Sequence, residues 1–401
     1  MFAHNKKSKQ YVRQVGVWGD ILAAAKYPIA AVLRIASRMR YAFAPTEEGL
    51  ILFEAFSGRR ADCNPLAIYN YLRIHYPGRF HYVWAVEDIN KWVSLAANSD
   101  TDLVAYRSSL HRKYACTAGF LVVNNSRAGD LPYRKKQVQI QTWHGEGYKT
   151  VGAAAGNIGP LMRWVIAQKS KRFDYFISSN KYFTQELIRK QLLYAGEVLE
   201  VGTPRNDRLV LSNKTDRLDQ RRRIGLSDDD FFVLYVPTWR DFGSEIESFD
   251  VEQVRNAFAV RFGSNVVMGQ RGHYFSDFSN DMFDLDLGDY DDMQGLLLAC
   301  DALISDYSSV IWDFSFTYRP CFLFAPDWER YERDRGFNEP ISDWGFPLST
   351  SNDELISDIV SFDEAEHRMR MEAHHARRGS FEVGRASEEI AHVILSRFQG
   401  C

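Results

Sequence analysis

The chain has 401 residues, of which 45 % are hydrophobic, 25 % charged and 14 % aromatic, with a formal charge of −3. This composition argues for two or three globular domains and against a disordered, collagenous or coiled-coil chain, or a protein with a basic nucleic-acid coat. Five cysteines (Cys63, Cys116, Cys300, Cys321, Cys401) form no CxxC pair, and the longest stretches without Asp, Glu, Lys or Arg are Tyr114 to Ser126 and Thr150 to Met162. Zinc sites, a disulfide framework and a bilayer-spanning segment are therefore not indicated, and a reducing compartment is favoured.

The charge is uneven. Residues 1–42 carry Lys6, Lys7, Lys9, Arg13, Lys26, Arg34, Arg38 and Arg40 against the single acid Asp20, a net of +7, so the rest of the chain carries −10. Trp18, Ile21, Leu22, Ala25, Ile29, Val32, Leu33, Ala36 and Met39 recur at helical spacing with Arg34 and Arg38 opposite, which predicts a basic amphipathic helix pair bent at Pro28. Such a segment either packs on its own protein or lies on an anionic membrane surface. No small-residue cleavage site follows it, which argues against a signal peptide.

From Gly49 onward short apolar runs alternate with helix-length connections. Strands are expected at Leu50 to Phe56, His81 to Val86, Asp102 to Tyr106, Phe120 to Asn124, Val138 to Trp143, Asp174 to Ser178 and Val198 to Val201. The polar stretch Ser212 to Asp230 interrupts the pattern. A second set follows at Phe231 to Pro237, Asn265 to Gln270, Ala302 to Asp306 and Cys321 to Phe324, and a helical segment closes the chain from Asp353. Alternation of this kind predicts parallel βαβ units in an α/β fold of two Rossmann-like domains. The expected division is 1–45 for the basic segment, 46–215 for the first domain, and 216–401 for the second with its closing helices.

Neither GxGxxG nor GxxxxGK[ST] is present, so dinucleotide and P-loop readings lose their usual support. Asp284-Leu-Asp286 and Asp289-Tyr-Asp291 formally match DxD, but the run Asp281 to Asp292 is expected to be a solvated loop in which Asp291 or Asp292 caps a helix through Leu296 to Leu298. The chemistry-bearing segments all lie beyond expected strands, where open α/β sheets collect ligands. They are Gln141-Thr-Trp-His-Gly-Glu-Gly-Tyr-Lys149, Gly202-Thr-Pro-Arg-Asn-Asp-Arg208, Val236-Pro-Thr-Trp-Arg-Asp241, Arg271-Gly-His-Tyr-Phe275 and Leu303-Ile-Ser-Asp-Tyr-Ser-Ser309. Singly, each reads as well as a core histidine, a surface turn or a helix cap. Together, five edges offering imidazole, guanidinium and hydroxyl groups point to phosphate chemistry.

These segments, in the order QTWHG, G.PRND, PTWRD, R.HY and ISDYSS, resemble the CDP-glycerol glycerophosphotransferases, the teichoic acid and capsule polymerases and primases. Leu52-Phe-Glu-Ala-Phe-Ser-Gly58 and Asp62-Cys-Asn-Pro-Leu-Ala-Ile68 fit that family's N-terminal pattern, and the resemblance spans about residues 49 to 340. It implies a GT-B architecture, two Rossmann-like domains facing across a cleft, with the acceptor on the N-terminal side and a nucleotide donor on the C-terminal side. It also implies peripheral attachment to the cytoplasmic face of the membrane.

On this resemblance the catalytic base falls on His144, a second histidine near the donor pyrophosphate on His273, and a hydroxyl-rich cradle on Ser305, Ser308 and Ser309 around Asp306. Further expected substrate contacts are Glu146, Lys149, Arg205, Asn206, Asp207, Thr238, Arg240 and Arg271. Where the family commonly has Thr-Pro or a small apolar pair after WHG, Glu146 and Gly147 stand here, and Ser305 replaces a common Thr. The expected reaction is glycerol phosphate transfer from CDP-glycerol, or a related donor such as CDP-ribitol, to a lipid-linked or polymer hydroxyl. CMP is released, no cofactor or metal is required, and no nucleic acid takes part. The alternatives are a GT-B glycosyltransferase using a nucleotide sugar and a non-enzymatic nucleotide- or membrane-binding scaffold.

Overall fold

The computed structural model describes residues 27–146, 148–155, 158–238, 249–263, 265–272 and 282–399. The chain forms two compact units. The first holds the described residues up to His144, Thr150–Arg205 and the segment from Phe381; the second holds Gly145–Lys149 and Asn206–Ser380.

The first unit is built on seven parallel strands, β1 (Glu47–Glu54), β2 (His81–Val86), β3 (Thr101–Ala105), β4 (Ala118–Val123), β5 (Val138–Gln141), β6 (Tyr175–Ser178) and β7 (Glu197–Glu200), in the order β3-β2-β1-β4-β5-β6-β7. Leu50 to Phe53 and Tyr82 to Val86 are almost wholly buried, as unbroken apolar strands covered on both faces must be. The second unit carries β8 (Phe231–Val236), β9 (Val266–Gln270), β10 (Leu285–Asp286), β11 (Ala302–Ser305), β12 (Cys321–Phe324) and β13 (Leu348–Ser349), again all parallel, in the order β10-β9-β8-β11-β12-β13. Both faces of this sheet are covered too: Leu234, Leu303 and Leu323 join one apolar cluster, and Val233, Ile304 and Phe322 another. The α/β class and the parallel sheets follow the alternation seen in the sequence.

Three details differ from expectation. The two-residue strands β10 and β13 have no signature in the sequence because two residues cannot show a period, and β10 lies inside the acidic run expected to be loop. The units divide at Arg205 and Asn206 rather than at 215 and 216. The last helix, Ala386–Gln399, belongs to the first unit: Ile390, Ala391 and Ile394 are fully buried against Ile51, Phe53, Ile68 and Leu72. An apolar stripe at spacing 1 and 3 identifies a buried helix but not the sheet that covers it.

Residues 27–40 form a helix, with residues 1–26 of the expected basic segment outside the described part. Its inward positions are Ala30, Arg34 and Ser37: Arg34 Nη1 donates to Gly129 O (2.8 Å), and Cys116 Sγ lies 4.0 Å from Ser37 O. The apolar residues Ile29, Val32, Ile35 and Met39 are each more than half exposed. In the described turns the helix meets its own unit through Arg34 and Ser37, and the apolar residues face outward.

Candidate active site

In both sheets the chain winds outward first one way and then the other, so the crossover direction reverses between β1 and β4 in the first unit and between β8 and β11 in the second. Open α/β sheets leave a crevice beyond the carboxyl ends of the strands at that point. The candidate residues gather at these two places.

In the first unit β5 ends at Gln141 and the chain turns through Thr142 and Trp143 to His144. Trp143 adopts a left-handed backbone (φ 54), as do Phe56 and Ser57 beyond β1 and Cys63 at the start of the helix Cys63–His75. Four non-glycine residues in this conformation around one crevice mark strain that the surroundings must hold. Side-chain hydrogen bonds do so. Gln141 Oε1 accepts from Trp143 N (3.0 Å) and Gln141 Nε2 donates to Asn125 O (3.1 Å). Buried Asn64 donates from Nδ2 to both Thr142 O and Trp143 O (3.0 Å each), while its Oδ1 accepts from Arg205 N (3.2 Å). Arg205 Nη1 in turn donates to His144 O (2.7 Å) and to Cys63 Sγ (3.0 Å).

The imidazole itself is half-buried between Trp143, stacked at 4.7 Å, and Phe56 at 5.3 Å. His144 Nδ1 lies 2.7 Å from Asn124 O. A carbonyl oxygen only accepts, so Nδ1 carries the proton and Nε2 of the neutral ring holds the lone pair. Burial and the Arg205 charge hold the His144 pKa below the usual imidazole value, against the opposing pull of the Asn124 bond. The ring is a neutral base with a fixed tautomer. Asn124 is wholly buried, and its Oδ1 accepts from Phe56 N (2.7 Å), joining the ends of β1 and β4.

Arg205 was expected to meet substrate; its guanidinium instead supports the His144 loop. Arg208 is committed to Asp216 (2.7 Å) and Asp292 (2.8 Å) in the second unit, where Asp292 also caps the helix Met293–Ala299 as anticipated. Asn206 is buried, and Asp207 opens the short helix Asp207–Leu211. Gly202, with φ 94, is the residue that lets the turn after β7 pass beside Phe381 and Glu382, where a Cβ would stand 3.1 Å from Phe381 O.

The chain leaves the first unit after His144, so Glu146 and Lys149 are placed in the second. Between them Tyr148 is buried, stacked on Trp312 at 4.1 Å and bonded to His374 Nε2 (2.7 Å), with Arg378 over its ring. Lys149 lies over the Tyr331 ring at 5.3 Å, and Glu146 is half-exposed.

Three adjacent strand ends bring the second set together. Beyond β8, Thr238 donates its N–H (2.9 Å) and hydroxyl (2.5 Å) to the buried carboxylate of Asp306 beyond β11, bridging the point where the winding reverses. Ser305 is wholly buried and donates to Val236 O (2.6 Å), so its hydroxyl ties two strands rather than cradling a ligand. Ser308 and Ser309 are half-buried ahead of the helix Val310–Ser315. Beyond β9, Arg271 donates from Nη2 to Tyr290 O (2.9 Å), and Nη1 lies 3.0 Å from Met293 Sδ. His273 and Arg240 lie outside the described residues. Asp284 of the DxD pair accepts from Met268 N (2.7 Å) and pairs with Arg255 (2.6 Å), and Asp286 accepts from Gly288 N (3.0 Å).

Sequence reasoning missed Asn64, Asn124 and the support role of Gln141. The one available signal was a polar pair, Asn124-Asn125, directly after a buried run; Asn64 sat inside a recognised pattern without a role.

The chain is 30 % identical over 365 residues to a teichoic acid poly(glycerol phosphate) polymerase of Staphylococcus epidermidis, a match covering 86 % of this chain and 50 % of the polymerase. It is 29 % identical over 373 residues to a teichoic acid glycerol-phosphate transferase of Staphylococcus aureus, covering 87 % of this chain and 93 % of the relative. The chain thus spans about half the length of the first relative and nearly all of the second. A solved structure of a variant of the wall teichoic acid polymerase TagF superposes with TM-score 0.79 at 26 % identity, over 95 % of this chain and 98 % of that one; a form soaked with CDPG gives 0.77. The family model for CDP-glycerol:poly(glycerophosphate) glycerophosphotransferase matches residues 35–396. The chain belongs to that glycerophosphotransferase family.

Proposed function

We propose that this chain transfers glycerol phosphate from CDP-glycerol to a hydroxyl of a membrane-linked or polymer acceptor in teichoic acid or capsule-type synthesis, releasing CMP. The observation that carries the reading is the His144 Nδ1 to Asn124 O bond, which leaves Nε2 as the base. Nε2 takes the proton of the acceptor hydroxyl as its oxygen attacks the glycerol-bearing phosphorus. The bond from that phosphorus to the bridging oxygen breaks, and CMP leaves with the electron pair. Arg271, His273, Arg240 and the Ser308 and Ser309 hydroxyls stabilise the phosphate oxygens, Thr238 and Asp306 hold the strand ends that carry them, and Glu146 and Lys149 meet the substrates. The two units act as the acceptor and donor halves of a GT-B enzyme.

The same reading places the protein on the cytoplasmic face of a membrane. The helix 27–40 turns Ile29, Val32, Ile35 and Met39 outward, and Tyr27 meets the half-exposed Trp164 edge-on at 5.1 Å. Among the described residues no helix is long and apolar enough to cross a bilayer.

The test is His144→Ala with CDP-glycerol and a lipid-linked acceptor. General-base catalysis supplies roughly 10²- to 10⁴-fold, so turnover should fall at least a hundredfold with the circular dichroism unchanged. A folded variant with near-normal turnover sinks the assignment.

A further inference from the structure

Arg172 follows the helix Pro160–Ser170 and is 5 % exposed. Its Nη2 donates to Gly129 O (3.3 Å), the same carbonyl that accepts from Arg34 Nη1 (2.8 Å), and its guanidinium lies 5.5 Å from the centre of the Tyr133 ring. Its buried Nη1 has no hydrogen-bond partner. Among the described residues neither Arg172 nor Arg34 makes an ion pair, and the groups acting on Arg172 are two further arginines, Arg34 and Arg127, and the phenols of Tyr133 and Tyr27. Arg127 is already matched by Glu54 at 2.8 Å, and Lys169 adds another cation nearby.

A buried guanidinium without a carboxylate is costly, because one neutral carbonyl cannot offset two positive charges. Burial and Arg34 push the Arg172 pKa down to about 10, which still leaves it charged at neutral pH. Among the described residues no carboxylate supplies the counter-charge, and an anionic ligand would. A planar guanidinium with a spare donor and a second guanidinium beside it suit a tetrahedral oxyanion.

We propose that Arg172 and Arg34 form a phosphate-binding site, distinct from the His144 crevice, whose occupant is the headgroup phosphate of an anionic phospholipid. The source of the phosphate rests on the membrane reading above. It follows from position: Arg34 lies on the inward side of the helix whose outward side is apolar, and Tyr27 and Trp164 join that helix to the one that precedes Arg172.

The test uses full-length protein with Arg172→Met and Arg34→Gln. In chloride buffer Arg172→Met should melt no lower than the wild type, since an uncompensated cation is removed. Inorganic phosphate at matched ionic strength should raise the wild-type Tm, and both variants should lose part of that rise. On vesicles of phosphatidylglycerol and phosphatidylcholine, Arg172→Met should weaken binding at least tenfold, against about fivefold or less for the exposed Arg38→Gln, the effect of one cation near an anionic surface. A phosphate response equal in wild type and both variants overturns the site. A lost phosphate response with unchanged vesicle binding overturns the lipid as its source and leaves a free phosphate. Should the wild type ignore vesicles altogether, the membrane reading fails and takes the lipid assignment with it, while the phosphate melting curves still decide the site.

Discussion

Arg205 and His144, 61 residues apart in the chain, are joined at 2.7 Å through a guanidinium and a main-chain oxygen. The same guanidinium reaches Cys63 Sγ, and the Arg205 backbone N–H is held by Asn64, so the His144 loop is tied to the turn beyond β7 and to the start of the helix Cys63–His75. Arg205 therefore braces the loop of the proposed base, and its charge adds to burial in lowering the imidazole pKa. Arg205→Met should lower kcat about tenfold or more. Arg205 depresses the His144 pKa, so its removal should also move the acid limb of the kcat/KM profile to higher pH. Arg205→Lys, which keeps the charge, should show the loss of kcat with less movement of the limb. A purely structural role would shift stability and leave the limb where it is.

Asp306→Asn tests the corresponding bridge in the second unit. The Thr238 N–H lies 3.0 and 2.9 Å from the two carboxylate oxygens and the hydroxyl meets Oδ1, so an amide keeps a single neutral oxygen acceptor and turns an NH2 donor toward the donors at the other position. Hydrogen bonds to charged acceptors contribute about 2 kcal/mol, so the variant should lose about that much stability in urea unfolding. Its KM for CDP-glycerol should rise more than its KM for the acceptor. Equal changes in the two constants would argue against a donor-side role.

Glu54, at the end of β1, is buried with Arg127 (2.8 Å) and His111 (3.1 Å). Burial alone raises its pKa, but the Arg127 charge and the His111 hydrogen bond outweigh it and bring the value to about 2. His111 Nδ1 accepts from Arg107 N (2.8 Å), so Nε2 carries the proton toward Glu54. A carboxylate lowered in the folded state contributes stability that is present above its unfolded pKa of about 4.3 and is lost as pH falls toward 2. Glu54→Gln should destabilise by about 3 to 5 kcal/mol at pH 7 by leaving Arg127 without its anion. The variant should also flatten the stability curve between about pH 4.3 and 2. An unchanged acid-unfolding slope would show that another carboxylate dominates there.

Activity should survive EDTA. Asp284 is occupied by the Met268 N–H and Arg255, and Asp286 by Gly288 N, which gives these carboxylates structural work at the edge of β9. Turnover of CDP-glycerol after exhaustive chelation should match the untreated enzyme. Loss of activity that Mg²⁺ or Mn²⁺ restores would instead make the run Asp284 to Asp292 a metal site.

Local sequence determined the α/β class, eleven of the thirteen strands among the described residues to within a few residues, and the placement of His144 and Ser308 beyond strand ends, because apolar runs and their polar termini are short-range patterns that burial on both faces imposes directly. It also offered Asp291 or Asp292 as the cap of the helix through Leu296 to Leu298, and Asp292 takes that place by a bond to Gly295 N within four residues. Tertiary structure alone decided what the long-range partners do. Arg205 reads as an anion ligand in its own turn and becomes a support only when Asn64, from a helix 141 residues earlier, stands beside it. The apolar side of the helix 27–40 reads equally as a packing face or a membrane face, and only the fold shows Arg34 turned inward to Gly129. The last helix shows where its stripe lies and not which sheet receives it. In each case the residue type states what it can bond, and the distant segment that supplies the partner is chosen by the packing of the whole unit.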